Sequence, residues 1–291
     1  MPDVVVMTDS NSGITCEEGK AYGVAVLPMS FIINGKIYYE GVDISHEDFF
    51  KKLEEGAEVS TSQPSPGEVL EMWDSLLKKH DEIVYIPMSS SLSKSFETAY
   101  MLSQDYDGKV QVVDNRRVST PQKQSVLDAL ELVKEGKTAA EIKEILDQGA
   151  YKSSIYVTVD TLKYLKKGGR ITGAAALLGT VLNMKPILVI HGGKLDAYAK
   201  IRGMKAARST MLAAIHKEIE ENYQEELKNG ELGIQMAYSS MDQELVADWE
   251  KQIREEFPDL PLLPGRLSLS LSCHIGPGGL GIAVTKQINK D

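Results

Sequence analysis

The stretch IVYIPMSSSLSKSFETA, running from Ile83 to Ala99, gathers five serines (Ser89, Ser90, Ser91, Ser93 and Ser95) where an apolar strand gives way to a helix. Serine hydroxyls and the free N–H groups of a helix start both donate hydrogen bonds, and the helix dipole favours negative charge there. Ser60, Thr61 and Ser62 stand just before another helix in STSQPSPGE. Together the two groups suit a carboxyl group or a phosphate. The plainer role is N-capping, but one serine serves a cap, and five in seven positions exceed that need.

Other chemistries fit less well. Ser91 and Lys94 match S-x-x-K, which puts a lysine one helical turn from a serine nucleophile, but its companions S-D-N and K-T-G are absent, as is G-x-S-x-G. Gly276, Gly278 and Gly281 match G-x-G-x-x-G, yet the strand-like IAVTKQ follows where a pyrophosphate cradle needs a helix. Those glycines are expected to shape a turn. His46, His80, His191, His216 and His274 form no H-x-x-x-H pair and none lies by a cysteine pair, so no metal site is expected. His274 stands apart because it ends an apparent strand beside the glycine turn. No G-x-x-x-x-G-K-[ST] is present, which argues against an autonomous P-loop kinase.

These residues need a frame. VVVMT at 4–8 reads as a first strand, 24–44 as extended chain with a hairpin at Asn34-Gly35. Pro66 opens a helix whose Val69, Leu70, Trp73, Leu76 and Leu77 follow helical spacing. EIVYIPM, the serine loop, a helix to about Gln104, KVQVVD, the helix QSVLDALELVKEG and TAAEIKEIL with a capping-box pair at Thr138 and Glu141 continue the alternation. This predicts a parallel sheet flanked by helices in an N-terminal α/β/α domain, 1–155, with a hairpin insertion at about 24–45. A C-terminal α+β domain with a mixed sheet is expected over 156–291. In it SIYVTVD is a strand, GAAALLGTVLN a buried helix, KPILVIHGGKLDAYAKIRG a hairpin, 204–228 one long helix, and RLSLSLSCHI and GLGIAVTKQ strands.

The whole chain has 291 residues, 42% hydrophobic and 25% charged, as in a water-soluble two-domain protein. The opening MPDVVVMTDS reads as a strand rather than a signal peptide, and no uncharged apolar run reaches the length of a membrane span. Cys16 and Cys273 are too few for a disulfide framework, which points to the cytoplasm. A net charge of -10 argues against nucleic acid as a partner.

Six motifs in order, TDSNSGI at 8–14, EGVDIS at 40–45, STSQPSPGE at 60–68, SSSLSKSFETA at 89–99, GGRITGAAALLGTVLNMKPIL at 168–188 and CHIGPGGLG at 273–281, give the chain an end-to-end resemblance to the DegV family of bacterial fatty-acid-binding proteins. The resemblance implies two domains with a long-chain fatty acid buried between and within them, no cofactor, and no catalysis by the chain itself. It implies further that a separate ATP-dependent fatty acid kinase phosphorylates the bound carboxylate. An acyltransferase of phospholipid synthesis then takes the acyl phosphate, with transient contact between carrier and membrane surface. Carried over residue by residue, Thr61 and Ser93 match the carboxyl-binding hydroxyls, with Ser62 beside Thr61. His274 matches the neighbouring histidine, Arg170 falls near the head group, and Arg202 matches a basic position facing the kinase or the acyl phosphate. Lys200, Arg202, Lys205 and Arg208 gather positive charge around that last position. Leu177, Leu178, Leu182 and Met184 are the expected tail-pocket walls. Lys94 stands where the family often has glycine, and TPQKQ at 120–124 replaces a glycine-rich run. The rival reading is an acyl hydrolase or acyl-transferring enzyme using Ser91 or Ser93.

A lipid fits the physics. Burying a tail is worth about 0.8 kcal/mol per methylene, on the order of 10 kcal/mol for a long chain before ordering costs. The head group then needs orientation, which neutral donors supply without trapping its charge in an ion pair.

Overall fold

The computed structural model describes residues 2–177, 183–239 and 242–288. The first half runs β1 (Val4–Asp9), α1 (Cys16–Tyr22), β2 (Val24–Leu27), β3 (Ser30–Ile33), β4 (Lys36–Tyr39), α2 (His46–Glu54), β5 (Val59–Thr61), α3 (Pro66–Leu76), β6 (Glu82–Ile86), α4 (Ser95–Ser103), β7 (Val110–Val112), α5 (Thr120–Lys134) and α6 (Ala139–Gln148). The second half runs β8 (Ser153–Thr158), α7 (Lys163–Lys167), β9 (Met184–His191), β10 (Lys194–Arg202), α8 (Met204–Asn222), α9 (Gln224–Lys228), β11 (Leu232–Tyr238), α10 (Gln243–Glu256), β12 (Leu262–Arg266), α11 (Leu269–Ile275) and β13 (Leu280–Lys286).

Strands β2-β1-β6-β7 form an all-parallel sheet. Side chains alternate across it, as the pleat requires. Val4, Val6, Val84 and Ile86 meet Val126, Ile142 and Leu146 of α5 and α6. Val5, Met7, Ile83 and Tyr85 meet Val69, Trp73 and Ala99 of α3 and α4. The result is the three-layer α/β/α arrangement. Each large side chain so buried contributes about 1.5–3 kcal/mol. The helix starts are fixed locally: Thr15 with Glu18, Ser65 with Glu68 and Thr138 with Glu141 form capping boxes, and Pro66 stands at the first turn of α3.

The hairpin is narrower than 24–45, because β2 belongs to the parallel sheet. Strands β4-β3-β5 make a separate small antiparallel sheet, on which α2 packs through Phe49, Phe50 and Leu53.

The second half holds a mixed sheet of order β10-β9-β8-β13-β11-β12, in which only β11 and β12 run parallel. β8 crosses position 155 and lies wholly in this sheet. One face, with Tyr156, Ile234, Met236 and Val284, is covered by Met211 and Ile215 of α8 and by Trp249 and Ile253 of α10. The other face looks toward the first half. The single helix expected over 204–228 breaks at Tyr223 into α8 and α9. Of GAAALLGTVLN, residues 173–177 belong to a 3-10 turn, Thr172–Leu177, rather than an α-helix; Leu178 and Leu182 lie outside the described residues. RLSLSLSCHI is not one strand: β12 ends at Arg266 and α11 begins at Leu269, capped by Ser268, whose hydroxyl accepts from the Leu271 N–H. No described helix is long and apolar enough to cross a membrane.

Candidate functional site

Between the free face of the mixed sheet and the loops of the first half lies a cavity of about 270 Å³. Its floor is a row of residues in register across five strands: Leu195, Ile190, Ile155, Ala283 and Gln235. Four strand spacings make that row about 19 Å long. In the next row Val157, Gly281 and Ala237 also line the cavity, and their small size leaves the room. Helix α11 contributes Ser270, Leu271 and His274; Met29, Met88 and Val118 close it from the first half. No described lining residue is acidic.

Thr61, Ser62, Ser93, Arg170 and His274 all line this one cavity. Thr61 ends β5, and its Oγ1 lies 2.8 Å from Nε2 of His274, in the last turn of α11. His274 therefore sits on a helix, not at a strand end. Its Nδ1 is buried with no partner among the described residues and lies against Gly168, where an added Cβ would come within 2.1 Å. Burial, with the Arg170 charge second, lowers the imidazole to about 4, so it is neutral at physiological pH. An unpaired acceptor is tolerated in a protein interior better than an unpaired N–H. On that ground the ring proton is assigned to Nε2, which donates to Thr61 Oγ1. The Thr61 hydroxyl proton is then free for a ligand. Arg170 is exposed at the rim, its Nη1 donating to the Gly168 carbonyl at 2.7 Å. Ser62 is exposed, with its hydroxyl 3.4 Å from that of Ser30.

The serine loop is mostly self-supporting. Ser90 Oγ donates to Asp114 at 2.6 Å, Ser89 Oγ accepts from the Ser91 N–H, and Ser93 Oγ accepts from the Ser95 N–H while lying 2.8 Å from the Ser95 hydroxyl. Of the five, Ser93 alone lines the cavity. The count that exceeds a cap's need thus serves mainly to hold the turn. The loop is fixed from TDSNSGI: Asp9, fully buried, accepts from the Met88 and Asn11 N–H groups and from Gln122. Burial raises its carboxyl to about 6 against those hydrogen bonds. Glu40 of EGVDIS, raised to about 7 chiefly by burial, accepts from Ser10 Oγ and from the Leu269 N–H, and so caps α11.

The arrangement offers little to a serine enzyme. Lys94 is exposed and paired with Glu97, and Ser91 is exposed outside the cavity. Thr61 and His274 stand at nucleophile–base distance, but no described residue orients Nδ1 and an imidazole at about 4 is a weak base near neutrality. No cluster of three or more metal-ligating side chains occurs among the described residues.

The remaining expected residues lie elsewhere. Leu177 packs with Val159, Leu162 and Leu188 and Met184 begins β9; neither lines the cavity, whose apolar surface comes from the mixed sheet, α11 and first-half residues such as Met29, Met88 and Val118. Arg202 is exposed at the end of β10, opposite Met184, and does not line the cavity. Arg208 leaves its basic group: it is buried, bonded to Asp248 at 2.7 Å and set over Trp249. The TPQKQ segment forms the buried first turns of α5, and Ser119, Thr120 and Pro121 reach the cavity wall. Sequence reasoning missed Ser119 and Gln235; a glutamine inside the apolar strand LGIQMAY is the signal that pointed to the latter.

The DegV family model, described as an uncharacterised protein, matches residues 3–287. A DegV domain-containing protein of Deinococcus radiodurans is 31% identical over 285 residues, covering 97% of this chain and 98% of that protein. Another, from Staphylococcus aureus, is 31% identical over 288 residues, covering 99% and 100%. Among solved structures, a DegV family protein of Thermus thermophilus, described by its fatty acid binding, is 30% identical with a TM-score of 0.86, covering 98% and 99%. A stearic-acid-binding protein of Eubacterium ventriosum shares the fold at 22% identity and a TM-score of 0.86, covering 97% and 98%.

Proposed function

The chain belongs to the DegV family, and on that premise we propose that it binds a long-chain fatty acid in the cavity and presents the carboxyl group to a separate ATP-using kinase. The acyl phosphate so formed feeds phospholipid synthesis through an acyltransferase. The observation that carries the reading is a single cavity lined both by Thr61, Ser93, His274 and Arg170 and by aliphatic side chains of the mixed sheet, with no described acidic group in its wall. Thr61 O–H and Ser93 O–H donate to the carboxyl oxygens, the neutral His274 fixes the direction of the Thr61 proton, and Arg170 at the rim supplies positive charge. Hydroxyl donors orient the carboxylate without the tight ion pair that would blunt its reactivity toward a phosphoryl donor. Catalysis belongs to the partner, and Arg202, exposed beyond the cavity, serves the encounter with it or grips phosphate oxygens.

The test is direct. Protein purified from a bacterial host, denatured and analysed by mass spectrometry, is expected to release about one long-chain fatty acid per chain. Delipidated protein that takes up no fatty acid on titration would refute the proposal.

A further inference from the structure

The largely apolar floor of the cavity ends on a polar group that no described residue satisfies. Gln235 lies in the middle of β11, is 1% exposed and lines the cavity, and neither its Nε2 nor its Oε1 has a hydrogen-bond partner among the described residues. It occupies the last position of the row Leu195–Ile190–Ile155–Ala283–Gln235 that faces the ligand space. The carboxyl-binding residues belong to the other end of that row. His274 abuts Gly168, and the segment that continues from there packs over β10, where a Cβ at Gly173 would strike the Leu195 carbonyl. A second unsatisfied group lies on the cavity wall. Ser119 holds φ +60°, a costly conformation for a residue other than glycine, and its buried Oγ has no partner among the described residues. Its neighbour Thr120 fills the space over Gly265 of β12, the register partner of Ala237, so Ser119 borders the Gln235 end of the sheet.

Buried amides and hydroxyls are nearly always hydrogen-bonded, and an unpaired one beneath a hydrocarbon tail is costly. We propose that this cavity is shaped for an acyl chain bearing an oxygen, a hydroxyl or keto group, in its distal half, received by the Gln235 amide with Ser119 as a second donor or acceptor. The inference rests on the fatty-acid reading above and sharpens its substrate class. An amide suits either oxygen, since it donates through Nε2 and accepts through Oε1. A competing partner is Gln287: its Oε1 and the Gln235 Nε2 both approach Gly233, within 2.7 and 3.3 Å of where a Cβ would stand, yet no hydrogen bond joins them.

The test uses delipidated full-length protein, with stearic acid and hydroxystearic acids substituted in the distal half of the chain as competing ligands. Wild type is expected to bind at least one hydroxystearic acid about tenfold or more tighter than stearic acid, as a site that pairs a ligand hydroxyl discriminates against the analogue lacking it. Gln235→Leu, which removes the unpaired amide while keeping its bulk, is expected to erase that preference and bind stearic acid at least as tightly as wild type. Ser119→Ala, the second variant, is expected to narrow the preference without reversing it. If wild type binds both acids and does not favour any hydroxy acid, or if Gln235→Leu leaves the preference intact, the inference fails while the fatty-acid reading stands. Water or Gln287 then satisfies the amide. If no acid binds, the underlying reading fails and carries the inference down with it.

Discussion

Replacing Thr61 by valine isolates the head-group contact from the rest of the site. Valine keeps the branched shape at the end of β5 but removes the hydroxyl that stands 2.8 Å from His274 Nε2. Two losses follow. In the ligand-free protein both imidazole nitrogens are left without partners, because Nδ1 has none already; stability should fall by about 1–3 kcal/mol, read from urea unfolding. In the complex, the ligand carboxylate loses one neutral donor. A hydrogen bond to a charged group is worth about 1.5–3 kcal/mol, which converts to a loss in affinity of roughly ten- to hundredfold. The tail is untouched, and at about 0.8 kcal/mol per methylene it carries most of the binding free energy.

The assay compares a fatty acid with its methyl ester by competition titration against wild type and Thr61→Val. The acid should weaken by the factor above and the ester should scarcely change, because it offers no carboxylate for the lost donor. Thr61→Ser should restore the gap between acid and ester. Equal weakening of acid and ester would refute the reasoning: the hydroxyl would then support the pocket wall, and the carboxyl group would lie elsewhere.

Three further outcomes are expected. Arg202→Ala should purify with its lipid yet support little acyl phosphate formation by the kinase in a coupled assay; loss of lipid would put Arg202 in the pocket, and wild-type behaviour in both would leave it as surface charge. Gly168→Ala should displace the His274 ring from Thr61, since the new methyl would lie 2.1 Å from Nδ1, and should weaken the acid more than its methyl ester. Glu40→Gln should flatten the stability profile between about pH 4.5 and 7. With its carboxyl raised from 4.5 to about 7, the folded wild type binds more protons than the unfolded chain in that window, so the Glu40 contribution is largest below pH 4.5 and lost as pH rises through 7, a slope the amide cannot show in thermal unfolding across pH.

The parts of the fold that were readable are those in which periodicity and local punctuation agree. β1 alternates Val4 and Val6 against Val5 and Met7 between two helical layers, and α3 announces itself by Ser65, Pro66 and Glu68 before a helical apolar stripe. Helix α11 failed because its pattern misleads. Leu and Ser alternate through 267–272 as in a strand, yet Leu269, Ser270, Ser272 and Cys273 are all buried, so the element has no solvent face to impose a helical period. Its start is set by the Ser268 hydroxyl and by Glu40, 229 residues from the N–H it receives. No local window contains that information.

The site shows the same division between local motif and distant partner. The resemblance supplied Thr61 and His274 as residues near a carboxyl group, but their bond spans 213 positions and depends on α11 being a helix whose last turn faces β5. A strand at 266–275 would place alternate side chains on opposite faces and would carry no capping contact with Glu40. Glu40 therefore helps to set the Thr61–His274 geometry although it does not line the cavity: it holds the N-terminus of the helix whose C-terminal turn aims His274. This also explains a buried carboxyl beside Asp9, whose charge raises it further. The two acids fix the two segments that meet at the cavity, Asp9 the approach to Ser93 through Met88, and Glu40 the approach to His274 through Leu269. Loosening either should misdirect a head-group donor before it disturbs the apolar floor, because the floor is built by the mixed sheet's own ladder and packed from behind by α8 and α10.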